Sequence, residues 1–122
     1  MNGFTLTKFY WHVMSHDEKK ILTPAHAGLY HYLIELNNRL RWIEVIGVPR
    51  LHTMEQLNIG SRNTYRKLFQ DLEKMGLIEV VYKSKTRHEA TKITLDTTRF
   101  IAFCELHVVK KQPRKKIKAV KI

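Results

Sequence analysis

Arg62, Asn63, Arg66, Lys67 and Gln70 fall within one short stretch and carry the most specific chemistry in this sequence. Arginine presents two parallel N–H donors that match guanine O6 and N7, and asparagine and glutamine amides match adenine N6 and N7. Their spacing puts them on the outer face of a helix, opposite an apolar stripe of Tyr65, Leu68, Phe69, Leu72 and Met75. Ser61 precedes them as an N-cap, and with Thr64 it belongs to a first turn whose free N–H groups could hold a phosphate. A second basic group, Lys83, Lys85, Arg87 and His88, sits in a polar loop between two apolar stretches and suits contact with a nucleic-acid backbone.

Other chemistries find less support. His12 and His16 are four apart and would share a helix face, with Asp17 as a partial third ligand, but a structural zinc needs four, so no metal site is expected. His26 and His31 are five apart and do not align on a helix; His52 is isolated. Cys104 is a single cysteine in an apolar stretch and reads as an inert buried thiol. The sequence has no phosphate-binding glycine loop, no nucleophile elbow and no paired carboxylates in an apolar setting. No enzyme activity, cofactor or small-molecule substrate is therefore expected.

Charge points the same way. The 122 residues hold 22 Lys and Arg against 11 Asp and Glu, a net +11 that favours a polyanionic partner. Seven of those cations follow His107, so residues 1–106 carry 15 basic against 11 acidic side chains and are only mildly basic. The basic run at 110–122 reads equally as a solubilising end or as an arm that touches phosphates. No apolar run approaches the roughly 20 residues of a membrane span. Residues 1–14 lack the order of a secretory signal, and a cytoplasmic location is expected.

The elements that must position these residues follow from spacing. Thr23 and Pro24 open a helix that Leu29, Leu33, Leu36 and Leu40 extend to about Trp42. A short extended piece follows at 44–48. Thr53 is placed to cap a helix holding Met54, Gln56 and Leu57; Asn58, Ile59 and Gly60 break it, and the helix from Ser61 ends at Gly76. Residues 77–82 and 92–95 read as the strands of a hairpin. Residues 4–14 and 99–109 fit either helix or strand.

This order of helix, strand, helix, tight turn, helix and hairpin, with Ile59–Gly60–Ser61–Arg62–Asn63–Thr64–Tyr65 and Gly76–Leu77–Ile78, resembles that of winged helix-turn-helix domains. Together with Leu22–Thr23–Pro24 and Val48–Pro49 it is similar, more narrowly, to small helix-turn-helix proteins of bacterial mobile elements and phage. It is also similar to the N-terminal domains of phage replisome organisers and DnaD-type primosome proteins. Two departures stand out: the loop at 83–91 lacks the glycine usual in such wings, and the sequence contains nothing like the second domain of DnaD-type proteins.

The resemblance implies an α+β fold, a three-helix core with a two-stranded wing over residues 20–98. Around it lie an aromatic extension at 1–19, an element at 99–109 and a basic tail at 110–122. It implies a double-stranded DNA-binding protein, a transcription regulator or a replication or mobile-element factor, whose helix from Ser61 enters the major groove. A protein-assembly module on the same scaffold, without DNA affinity, is the alternative, and RNA binding also remains open. Phe9, Tyr10 and Trp11 are adjacent and cannot all face one way on a regular element, which suggests homodimerisation through this segment.

Overall fold

The computed structural model describes residues 3–86 and 89–107, with the His107 side chain left out. Five helices and three strands follow in the order α1 (Gly3–Ser15), α2 (Pro24–Arg39), β1 (Ile46–Val48), α3 (Arg50–Gln56), α4 (Arg62–Lys74), β2 (Glu79–Tyr82), β3 (Thr91–Thr94) and α5 (Thr98–His107). The strands form one antiparallel sheet in the order β1-β3-β2, so the expected two-stranded hairpin gains β1 as a third strand. Ile46 pairs with Ile93 and Val48 with Thr91. Val80 lies opposite Ile93 and Tyr82 opposite Lys92, which leaves Val81 as an extra residue in a bulge. The α+β class and the element order are compatible with a winged-helix layout.

Local chemistry explains the helix ends. Thr23 and His26 make a capping box at the start of α2, with Pro24 in the first turn. The helix stops at Arg39, short of the expected Trp42. There Arg41 and Trp42 take positive φ of 64° and 60°, and the Trp42 N–H returns to the Asn37 carbonyl at 2.8 Å. Asn58, at φ 56°, ends α3: its N–H reaches the Glu55 carbonyl and the Ile59 N–H reaches that of Met54. Gly76, at φ 78°, ends α4 in the same way, with Gly76 N–H to Glu73 O at 3.1 Å and Leu77 N–H to Leu72 O at 2.9 Å. A Cβ at Gly76 would also meet the Arg99 side chain at 3.0 Å. Thr53 is not a cap; α3 begins earlier, after Pro49, and Thr53 lies buried inside it.

The core joins every layer. Leu6, Phe9, Tyr10 and Val13 of α1 are buried with Leu29, Tyr30 and Leu33 of α2, Leu68 and Leu72 of α4, Ile46 and Ile93 of the sheet, and Phe100 and Phe103 of α5. Both terminal segments are helices and belong to this core. Phe9 meets Phe100 edge-on at 5.3 Å and Phe103 at 5.5 Å, and Tyr10 stacks on Tyr30 at 5.2 Å. Such ring pairs contribute about 1 kcal/mol each beyond the area they bury. This corrects the expectation that Phe9 and Tyr10 face a partner chain, because their own chain covers both completely; Trp11 alone of the three is exposed. The basic tail at 110–122 lies outside the described residues. Among the described residues no helix is long and apolar enough to cross a membrane.

Candidate nucleic-acid interface

The Ser61 hydroxyl accepts the Thr64 N–H at 3.3 Å and starts α4 where the sequence places it. Tyr65, Leu68, Phe69 and Leu72 anchor one side of the helix in the core, which leaves Arg62, Asn63, Thr64, Arg66, Lys67 and Gln70 exposed on the other. Burial pushes the Tyr65 hydroxyl well above its ordinary value, so it stays neutral inside this anchor.

The exposed side has two flanks. Arg62, Arg66, Gln70 and Glu73 turn toward the hairpin and, with Lys83, Lys85 and Thr86, line a cleft of about 630 Å³. Val48, Val80, Phe69 and Tyr65 give it an apolar part, and Arg50 also lines it. Five cations, Arg50, Arg62, Arg66, Lys83 and Lys85, thus converge around two acids, Glu73 and Glu89. Asn63, Thr64 and Lys67 are exposed on α4 but do not line the cleft. Arg87 and His88 lie outside the described residues.

The other flank rests on a buried ion pair. Asp71 is 4% exposed, and its carboxylate accepts from His26 Nε2 at 2.8 Å and from Lys67 Nζ at 2.7 Å. His26, also 4% exposed, accepts the Thr23 N–H on Nδ1 at 2.9 Å. With Nδ1 an acceptor, the proton sits on Nε2 and points at Asp71. Burial raises the Asp71 carboxyl, but the hydrogen bonds from Lys67 and His26, with the Lys67 charge, outweigh it and hold the group below the ordinary carboxylate range. One chain of contacts therefore runs from the cap of α2 through α4 to Lys67.

The loop beyond β2 is shaped by an acid in place of glycine. Glu89 accepts the Lys85 N–H at 3.0 Å and the Tyr82 hydroxyl at 2.9 Å, and the Ser84 N–H bonds to Thr91 Oγ1 at 3.2 Å. The Lys85 N–H, then the Tyr82 hydroxyl, hold the Glu89 carboxyl below its ordinary value. The Lys92 ammonium lies 6.0 Å from the centre of the Tyr82 ring. These contacts carry Lys83 and Lys85 on a braced loop.

Sequence reasoning did not select Arg50, Glu73 or Glu89. Arg50 follows Pro49 directly at the start of α3, and a basic side chain in the first turn of the helix before α4 was the available signal. Glu73 continues the spacing of Arg62, Arg66 and Gln70 along α4. Nothing local marks Glu89. His12 and His16 have ring centres 4.7 Å apart, yet α1 ends at Ser15, and among the described residues no group of three or more His, Cys, Asp or Glu could hold a metal ion. No family model, curated protein or solved structure matches this chain.

Proposed function

We propose that this chain is a winged helix-turn-helix protein that binds double-stranded DNA, with α4 as the recognition helix and the β2–β3 hairpin as the wing. The observation that carries the reading is the shared cleft, where Arg62, Arg66 and Gln70 of one element face Lys83 and Lys85 of another. Donors for base edges thus stand beside cations for the flanking phosphates. The Ser61 cap leaves the first-turn amides of α4 at the exposed end of the helix, where a phosphate oxygen could lie. Such a protein would act without a cofactor, as a regulator of transcription or as a factor in replication or mobile-element movement.

Fluorescence anisotropy of labelled duplexes over a series of salt concentrations tests this. Binding should weaken linearly in log affinity against log salt. Sequences selected from random duplexes should bind Arg62→Ala or Arg66→Ala about 1–3 kcal/mol more weakly, with most of the loss in discrimination between sequences. Absence of salt-dependent duplex binding by the folded chain would end the DNA reading and leave an assembly module on the same scaffold.

A further inference from the structure

The side of α1 turned away from its core carries a second surface. Phe4 is 84% exposed and Trp11 54% exposed, seven residues apart on one helical stripe, with Lys8 between them. Phe4 and Thr7 of α1 and Ile34, Glu35 and Asn38 of α2 line an open groove of about 470 Å³, together with Trp42. Trp11 continues the stripe one turn further, edge-on to the Tyr10 ring at 5.5 Å. Phe4 and Trp42 thus line the groove, exposed Trp11 lies on α1 beyond it, and none of the groove's residues belongs to the α4 cleft.

We infer that this groove docks a second copy of the chain, as an isologous dimer in which α1 and α2 of one protomer pack on α1 and α2 of the other. The argument is self-complementarity. The patch holds an exposed aromatic ridge and an adjoining groove, and it holds charges of both signs: Lys8 on the ridge, and Glu35 with its neighbour Arg39 on the α2 side of the groove. A two-fold axis through such a patch puts each ridge into the other copy's groove and brings Lys8 of each protomer to Glu35 of its partner. Among the described residues Glu35 forms an ion pair with Arg39, at 3.4 Å and exposed on its own helix, a weak interaction that leaves the carboxylate available. A partner with a uniformly charged or purely apolar face would fit less well, since either Lys8 or Glu35 would lose its opposite charge. The α4 clefts of both copies stay open in this arrangement.

Sedimentation velocity on the full chain without DNA tests the dimer independently of the DNA reading. The unmodified protein should sediment as a dimer by about 100 μM, a concentration at which even modest surfaces associate. The double variant Phe4→Glu with Trp11→Glu should stay monomeric, with its helical circular dichroism unchanged because both side chains are exposed. Lys8→Glu and Glu35→Lys should each weaken the dimer roughly tenfold through like charges, and the combined variant should recover it. A monomeric unmodified chain overturns the proposal and leaves the face to some other partner. It is equally overturned by a dimer that survives the double aromatic substitution, or by charge reversals that show no mutual rescue.

Discussion

The two flanks of α4 carry similar residue types and differ in what lies behind them. On the hairpin side, Arg62 and Arg66 line the cleft with Val48, Val80 and Phe69, and their guanidinium groups make no ion pair among the described residues. On the α2 side, Lys67 is bound to a buried carboxylate that His26 also holds. Equal charge in a sequence is therefore unequal charge at a surface: the arginines are available to an incoming polyanion, whereas Lys67 is already paired with Asp71. The net positive charge counts both alike, and only the carboxylate behind Lys67 separates them.

Removing His26 should break this contrast most severely. His26→Ala leaves Asp71 buried with one partner and strips the Thr23 N–H of its acceptor, and a buried carboxylate that loses a hydrogen-bond donor costs about 3 kcal/mol. Urea denaturation should show that loss, and a variant within about 0.5 kcal/mol of the parent would mean that the pair carries no stability. The next effect concerns binding. Arg66→Ala should weaken duplex affinity by about 2 kcal/mol and Lys67→Ala by under about 0.5 kcal/mol. Equal losses in anisotropy would erase the distinction between the flanks.

Asp71→Asn sharpens the comparison from the other side. The asparagine carbonyl still accepts from His26, while Lys67 loses its counter-charge and becomes free to touch a phosphate. The slope of log affinity against log salt should then steepen by about 0.9, the value for one added phosphate contact. An unchanged slope would show that Lys67 was never restrained. The smallest effect is in acid. Because the folded Asp71 carboxyl lies below its ordinary 3.8, it stabilises the fold above the unfolded value and loses that contribution as pH falls through the folded one. Stability should decline below about pH 4, and less steeply in Asp71→Asn. Asp17 shifts in the same direction, mainly through the Leu22 N–H, so the variant keeps part of the decline.

Much of this frame was legible in advance because its signals are local. Thr23 and Pro24 mark α2, Ser61 and Gly76 bracket α4, and alternation marks the hairpin, each through contacts a few residues apart. Asp71 was not legible. On a helix otherwise polar on that side it reads as one more solvated acid, and the residue that makes it a core element lies 45 positions away. His26 was set aside for the same reason: its pairing with His31 was tested, whereas its true partner is on another helix. Phe9 and Tyr10 suggested an outward face only because the element type of α1 and α5 was open; once both are helices, Phe100 and Phe103 cover Phe9. The cleft's missing members show the same limit. Arg50 and Glu89 come from α3 and from the loop before β3, and only the antiparallel pairing of three strands brings them to α4.

The contact of Phe9 with Phe100 and Phe103 also has a meaning during synthesis. α1 leaves the ribosome before α5 and finds the rings of Phe100 and Phe103 only when α5 has been made. Until then the Phe9 face of α1 remains uncovered, since pairings of such long sequence separation close late. A nascent chain halted before Phe103 would present that aromatic face to chaperones and proteases, whereas the α3–α4 turn and the hairpin need only near neighbours to form. The α1–α5 contact thus acts as a checkpoint on core closure: protection from degradation should rise sharply when α5 docks, long after the elements proposed to meet DNA have taken shape.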